Sequence, residues 1–246
     1  MSQPKAPNKI SQQGRPEDYR GPLSPEAIAE GINAAYRNAL RLANDATLLL
    51  EAGRHPSAAS LAALSIEESG KVSILRGLAV GKTTDEIKAS WQQYRDHRAK
   101  NGMWTMPQMV ADGARLLHQF QEVVERNGEH TALLNSVKQL GLYTDCCGNA
   151  HWSEPQEVID LELARYLVEL ACLFSKRKAV TTREIELWVE HLAPVWKTAD
   201  MSHALLRWAN AMQQEGLSDT SPADYARFVF GEVEASKWAV SPPHQS

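Results

Sequence analysis

The sequence predicts an all-α protein, and three observations lead to that prediction. Apolar residues recur at the 3.6-residue spacing of a helix along most of the chain. Helix-start signals, in which Ser or Thr precedes Pro or stands three residues before Glu or Gln, occur at several points. No succession of alternating, strand-like runs is present. With 246 residues, 43% of them hydrophobic and 23% charged, the composition is typical of one large globular domain, with or without an appended segment.

The N-terminal part is predicted to be a disordered tail followed by helices. Residues 1–22 are polar and rich in Pro, Gly and Gln, so they have little to bury. Ser24-Pro25 supplies an N-cap and a first-turn proline for the first helix, and Thr83-x-x-Glu86 is a capping box for the third. The predicted helices run over about 25–53, 56–81, 83–100 and 107–128, followed by a shorter helix that ends at Gly141.

The C-terminal part is predicted to begin with a non-helical segment. Residues 142–153 have no helical period and contain a glycine, so we expect an ordered loop there. Further helical patterns cover about 155–177, then 181–215 with a kink at Pro194, and finally a helix opened by Ser221-Pro222. We therefore predict a helical bundle over 23–178, a C-terminal helical extension over 179–240 and a frayed end over 241–246.

The predicted extension is rich in tryptophan. It holds four of the seven tryptophans of the chain, namely Trp188, Trp196, Trp208 and Trp238. Because aromatic side chains bury large areas, this segment is either an additional helical layer packed on the bundle or a surface that binds a partner.

Charge and cysteine usage exclude several classes of protein. A net charge of −4 and a pI near 6.1 argue against a general nucleic-acid binder, although a local basic patch is compatible with them. No apolar run approaches the ~18 residues of a membrane span, and the N-terminus lacks the apolar core of a secretory signal. Three cysteines, of which Cys146 and Cys147 are adjacent, form neither a disulfide framework nor a CxxC metal site. We expect a cytoplasmic protein without a metal or cofactor.

The stretch LAALSIEESGKVSIL, residues 61–75, places charges inside an apolar helix. At ~100° per residue, Leu64, Val72 and Leu75 share one stripe, Glu68 lies in its middle and Lys71 just beside it. Glu67 falls at the edge of that stripe. An unpaired buried charge costs several kcal/mol, so we expect Lys71 to pair with one of the two acids and a further cation to serve the other.

The predicted third helix offers candidates for that second cation. Its apolar stripe leads to His97 and Arg98, with Lys100 on the flank. If the second and third helices form an antiparallel hairpin, these groups meet the two acids. The resulting cluster is either a structural ion-pair network that fixes the helix register or a functional site.

Four motifs together resemble the AbiV-type abortive infection proteins of the HEPN-like helical group. They are S-I-E-E-S-G-K at 65–71, His-x-x-Lys at 97–100, K-Q-L-G-L-Y-T-D at 138–145 and Trp-x-x-Pro at 152–155, and the likeness covers roughly residues 25–178. The resemblance implies a HEPN-like helical bundle in a bacterial protein that blocks phage multiplication, commonly by interfering with translation. The functional residues that it implies are Glu67, Glu68, Lys71, His97, Lys100, Tyr143 and Asp145.

One motif of the wider HEPN group is absent. Its nuclease members carry an Arg followed, after four to six residues, by a His, and no His of this sequence has an Arg at that spacing. A ribonuclease would therefore need a different site, for example Glu67 or Glu68 with His97 and a lysine as acid, base and phosphate-binding cation.

Three functions remain open at this point. The first is an antiphage protein that binds a phage protein or the translation machinery; its polar cluster organises the fold, and its exposed aromatics, for example in 181–238, make the contacts. Tyr143 and Asp145, the expected binding residues of the loop, would lie over the polar cluster. The alternative for these two residues is a loop held by a tyrosine hydrogen bond and an Asx turn. The second function is a metal-independent endoribonuclease toxin that acts on RNA, and the third is a helical adaptor without a defence role. We also expect a homodimer, because helical bundles often associate through an apolar face.

Overall fold

The structure, a computed structural model, describes residues 17–96 and 128–231, with side chains from Leu134 onward in the second range. Its described helices are α1 (Pro25–Glu51), α2 (His55–Val80), α3 (Thr84–Arg95), α4 (Gly128–Leu142), α5 (Pro155–Val158), α6 (Leu161–Ser175), α7 (Thr182–Leu192), α8 (Met201–Gln214) and α9 (Pro222–Phe230). A hairpin of β1 (Asp145–Cys147) and β2 (His151–Ser153) lies between α4 and α5, and a 3-10 turn, Ala193–Val195, follows α7. The prediction of an all-α fold is confirmed for these ranges.

Helix α2 is the centre of the bundle. It packs against α1, α3, α4 and α6, and more lightly against α7. Its core-facing side is built from small residues, because Ala58, Ala59, Ala62 and Ala63 have no exposed surface. Small side chains allow helix axes to approach closely, so the longer side chains of α4 and α6 fill the space around them. These include Leu134 and Val137 of α4 and Leu167 and Phe174 of α6.

Helix α4 approaches the first turn of α2 at a glycine. A Cβ atom on Gly141 would lie 2.9 Å from the carbonyl oxygen of Pro56 and would overlap the hydroxyl of Ser60. Only a residue without a side chain allows this approach. The sequence pattern predicted a helix ending at Gly141, and α4 does end one residue later, at Leu142. The steric role of the glycine becomes visible only when α2 lies beside it.

Most helix starts follow the capping signals in the sequence. The side chains of Ser24, Thr83, Thr181 and Ser221 accept hydrogen bonds from the first turns of α1, α3, α7 and α9. Three other boundaries differ from the predictions. Helix α3 ends at Arg95 instead of near Lys100, because the backbone of Asp96 is extended. The helix predicted over 155–177 is divided into α5 and α6, since Asp160 caps a new helix start. The segment 181–215 is interrupted by the 3-10 turn and by a break before Met201.

The segment predicted as an ordered loop contains the small hairpin. Strands β1 and β2 pair antiparallel, with Asp145 opposite Ser153 and Cys146 opposite Trp152. The buried hydroxyl of Ser153 donates to the carbonyl oxygen of Asp145 and accepts from its N–H, at 3.1 and 3.2 Å. Gly148, with φ +53°, begins the turn. Alternation over three residues is too short to be recognised in a sequence, so this element was missed.

Candidate functional site

The centre of the candidate site is an ion pair between α2 and α4. Glu67 is 3% exposed, and the Nζ atom of Lys138 donates to its Oε1 atom at 2.7 Å. Lys138 is itself buried, with 6% of its surface exposed. It lies one turn before Gly141, whose missing side chain lets α4 approach α2. The close contact between these two helices therefore brings the ammonium to the carboxylate.

A second ion pair lies nearer the surface of α2. The Nζ atom of Lys71 donates to Oε1 of Glu68 at 2.6 Å, and both side chains are less than one fifth exposed. The ammonium also lies 5.1 Å from the ring centroid of Tyr94 on α3, in a cation–π contact. Helix α3 thus contributes an aromatic face to the site.

The positions of the two acids are the reverse of those predicted. Glu67 lies in the core and Glu68 is half-buried, whereas the apolar stripe placed Glu68 centrally and Glu67 at the edge. The stripe was misleading because α2 is covered on several sides, and its most buried face carries alanine and serine. The expectation that Lys71 pairs with an adjacent acid is confirmed by its contact with Glu68.

Among the described residues, the cation that pairs with Glu67 is Lys138 of α4. Lys138 was not among the predicted site residues, although it opens the motif K-Q-L-G-L-Y-T-D. A usable signal was present, since a lysine one residue after Val137 and three before Gly141 lies on the apolar side of that helix. His97, Arg98 and Lys100 lie outside the described residues, so their predicted approach to the acids remains a prediction.

Tyr143 and Asp145 follow α4 at the base of the hairpin. The Tyr143 side chain is 62% exposed, and at ~100° per residue it points about 140° away from Lys138 around the helix. Asp145 is exposed as well, and its Oδ1 atom accepts from the N–H of Cys146 at 2.8 Å. The described contacts give Asp145 a local role in the hairpin. They do not place either residue over the two ion pairs.

The hairpin carries a second exposed aromatic side chain. Trp152 is 65% exposed and lies opposite Cys146, which is exposed too. Leu142, at the end of α4, is 45% exposed. We call these four exposed residues, Leu142, Tyr143, Cys146 and Trp152, the hairpin surface. Trp152 belongs to a quoted motif, but its exposure depends on the unpredicted strands.

A partly buried arginine joins α2 to the C-terminal helices. The guanidinium of Arg76 lies 5.1 Å from the ring of Trp188 and 5.4 Å from that of Trp208. Trp188 Nε1 donates to the carbonyl oxygen of Arg76 at 3.0 Å, and the two indole rings meet edge to face. Burial lowers the pKa of Arg76, while the charges of Tyr36 and Glu184 oppose that shift. Three of the four tryptophans of this segment are therefore packed against one another, and Trp238 lies outside the described residues.

The geometry limits the chemistry that the two ion pairs can perform. A general base must come within hydrogen-bond reach of the proton that it removes, and Glu67 is enclosed in the core. Glu68 is the more accessible acid, and Lys71 occupies one of its oxygens. Within residues 17–96 and 128–231, no group of three or more His, Cys, Asp or Glu side chains is arranged to hold a metal ion.

A comparison with known protein families identifies the fold. The family model described as AbiV, of the HEPN group, matches residues 27–176. The chain belongs to the AbiV family. No curated protein and no solved structure matches the sequence. The AbiV match includes α1 to α6, and with them both ion pairs and the hairpin surface; α7, α8 and α9 follow the matched region. Among the described helices of this AbiV-family chain, none has the length and apolar character that crossing a bilayer requires.

Proposed function

We propose that this AbiV-family protein acts in abortive infection, blocking phage multiplication by binding a protein partner: a phage protein or a component of the translation machinery. The observation that carries the proposal is the enclosure of Glu67 with Lys138. A pair 2.7 Å apart in the core supports the fold and offers no reactive group to an RNA strand. The acidic pI of about 6.1 also favours a protein ligand over a polyanion.

The hairpin surface is the proposed contact site. Tyr and Trp are enriched at protein interfaces because a large apolar ring carries a polar atom that can bind a partner. Tyr143 and Trp152 are both more than 60% exposed. The hydrogen bonds between Ser153 and Asp145 fix the strand pair, so a partner would meet a largely preorganised surface.

The experiment for the binding function compares phage plating on cells that express wild type, Trp152→Ala, Tyr143→Ala or Trp152→Phe. We expect both alanine variants to lose most of the protection while their thermal unfolding is unchanged, and Trp152→Phe to keep it. If the folded alanine variants still gave full protection, the hairpin surface would not be the contact site for the partner. Equal plating with and without the wild-type gene would reject the defence role for the phages tested and favour an adaptor.

Ribonuclease activity is the alternative that this experiment must separate from binding. Total RNA from expressing cells is compared for wild type, His97→Ala and Glu68→Ala. Intact RNA together with phage resistance supports the binding function. New RNA fragments that disappear in both folded variants would instead establish a nuclease and overturn the proposal.

We also propose that the protein is a homodimer that associates through α1 and α6. These helices are antiparallel, because Thr47 contacts Cys172 at 3.6 Å while Asn33 donates to the carbonyl oxygen of Val180, eight residues further on. Leu48 and Leu173 directly follow the contacting pair, so helical geometry places them on the same side of it. They are 65% and 58% exposed.

The charges on this side of α1 and α6 suit a second copy of the chain. At the helical spacing, Arg37 of α1 and Glu169 of α6 lie on the same side as Leu48 and Leu173, and both are exposed. A two-fold axis brings the same surface of both copies together, so each apolar patch meets its equivalent and the arginine of one copy can face the acid of the other.

A further inference from the structure

A groove of about 370 Å³ lies where α2, α3 and the segment between α7 and α8 meet. Its walls are formed by Ser73 and Gly77 from α2, Glu86, Ser90 and Gln93 from α3, and Trp196 and Lys197 from the connecting segment. Its volume is within the range of small-molecule sites. The groove is separate from the ion pairs and the hairpin surface, and part of it is built by residues beyond the AbiV match.

Two glycines line this groove, and the local backbone requires glycine at neither position. Gly77 lies inside α2, where glycine is less stable than alanine, and a Cβ atom there would meet only the Trp196 ring, at an ordinary 3.8 Å. Gly81 has φ −64°, which any residue adopts, and its Cβ would make contacts of 3.5–3.7 Å. Neither backbone conformation nor crowding requires glycine at these two positions. At Gly77, the missing side chain leaves space beside the Trp196 ring.

The backbone is strained at the edge of the same groove. Lys197 has φ +60°, a conformation that costs free energy for a residue with a side chain. Strained residues of this kind are concentrated at ligand sites. No described residue forms an ion pair with the Lys197 ammonium, although its charge is close enough to lower the pKa of Glu86. That pKa is lowered first by the N–H groups of Lys82 and Thr83, which donate to the carboxylate.

The remaining polar groups of the groove accept hydrogen bonds more readily than they donate them. The hydroxyl of Ser73 donates to the carbonyl oxygen of Gly70, and that of Ser90 donates to the carbonyl oxygen of Glu86. Both oxygens keep lone pairs for a ligand. The carboxylate of Glu86 is a third acceptor. The groove therefore combines an aromatic wall, acceptors along two helices and a cation at the edge.

We propose that this groove binds a nucleoside monophosphate or a close chemical relative: a flat ring with N–H groups, joined to a phosphate. The ring would lie against Trp196, with its N–H groups directed to Ser73 and Ser90. The phosphate would bind the Lys197 ammonium. Residues 77–83, GLAVGKT, resemble a phosphate loop in sequence. They do not form one, because Gly77 lies within α2 and Thr83 caps α3.

The test is isothermal titration calorimetry of the full-length protein with AMP, GMP, CMP and UMP. Two further titrations use the nucleoside of the monophosphate that binds most tightly, which lacks the phosphate, and ribose 5-phosphate, which lacks the base. Thermal unfolding is recorded for every variant. We expect at least one monophosphate to bind with a Kd below about 1 mM. Gly77→Ala should raise the Tm by about 2–4 °C and weaken binding roughly tenfold, because the methyl group fills the groove. Lys197→Gly should also raise the Tm, because glycine adopts a positive φ without strain. It should weaken the binding of the monophosphate and leave the binding of the nucleoside unchanged.

Lys88→Met is the matched control, since Lys88 is exposed on α3 and does not line the groove. It should change neither the Tm nor the binding. The proposal is overturned if none of the monophosphates binds, or if binding is the same in wild type, Gly77→Ala and Lys197→Gly. Because phage plating is not part of this measurement, its outcome does not depend on the proposed defence function.

Discussion

Glu67 and Lys138 are 71 residues apart in sequence and bonded in the core, which makes their pair costly to break. Removing one partner takes a 2.7 Å contact from the other buried charge, and such losses are about 3–5 kcal/mol. We expect that decrease in the free energy of unfolding for both Lys138→Met and Glu67→Leu, measured by urea denaturation. The double variant should lose less free energy of unfolding than the sum of the two single variants, since both single changes remove the same contact.

Glu68→Gln is the matched comparison for this prediction. Its pair with Lys71 is partly exposed and lies within one helix, so its loss should cost less than about 1 kcal/mol. If the Lys138 variant were as stable as Glu68→Gln, the buried pair would not support the fold in the way described.

At the level of single residues, the sequence showed that the two acids require a second cation, but it did not show which residue supplies it. Two carboxylates beside one ammonium indicated a missing cation, and the pair of Lys71 with Glu68 followed from helical spacing. The second cation, Lys138, depends on which helix packs next to α2. That is a long-range property, and helical periodicity does not contain it.

Gly141 determines how closely α4 and α2 approach at this site. Replacing it with alanine places a methyl group against the carbonyl oxygen of Pro56 and the hydroxyl of Ser60. We expect Gly141→Ala to lower the free energy of unfolding by about 1–3 kcal/mol, because overpacking outweighs the better helix propensity of alanine. Thermal or urea unfolding measures the change.

The control for this substitution is Gly31→Ala in α1. Its Cβ would meet only Leu75 side-chain atoms, at 3.5–4.0 Å. It should therefore stabilise the protein by about 0.5–1 kcal/mol. Opposite signs of the change in the free energy of unfolding at these two glycines would separate the effect of helix packing from that of helix propensity. If both substitutions changed the stability in the same direction, the steric role of Gly141 would be refuted.

The capping box of α3 predicts a pH dependence of stability. Hydrogen bonds from the N–H groups of Lys82 and Thr83 hold the pKa of Glu86 below its ordinary value of about 4.3. The unfolded chain therefore takes up a proton before the folded chain does. The contribution of this carboxylate is present above the ordinary pKa and is lost as the pH falls through the lower, folded value.

Glu86→Gln tests this statement, because glutamine accepts the same hydrogen bonds and does not titrate. The difference in the free energy of unfolding between wild type and Glu86→Gln should shrink as the pH falls from neutral to below 4. A difference that is constant with pH would show that the cap does not depend on the charge.

The start of a helix was predictable where a single capping side chain determines it. Ser24, Thr83, Thr181 and Ser221 cap their helices through contacts within four residues, so their positions follow from the sequence. The hairpin was not predictable, since its strands have three residues each and depend on the buried hydroxyl of Ser153. The end of α3 at Arg95 was also missed, because the residues that follow carry no glycine or proline stop signal before Gly102.

In the whole molecule, Arg76 connects the AbiV region to the helices after it. A guanidinium between two indole rings combines cation–π attraction with the packing of large apolar surfaces. The abundance of tryptophan in this segment was visible in the sequence, whereas the arginine on which the rings converge was not. The groove proposed to bind a nucleotide lies at the same junction, so a ligand there would contact both parts of the chain at once.

Self-association is the last property that the whole molecule predicts. Leu48 of α1 and Leu173 of α6 are exposed next to a contact between the two helices. Neighbouring exposed apolar side chains of this kind indicate an interaction surface. We expect sedimentation velocity to give a dimer for wild type and a folded monomer for Leu48→Asp and for Leu173→Asp, because each change puts two like charges into a two-fold interface. Leu142→Asp, an equally drastic change at an exposed leucine of the hairpin surface, should remain dimeric.

A wild-type monomer at about 50 µM would reject a homodimer with a Kd below that concentration. A dimer that survives both α1 and α6 substitutions would place the interface elsewhere. If Leu142→Asp alone separated the subunits, the hairpin surface would be the dimer contact and would be unavailable for the proposed partner.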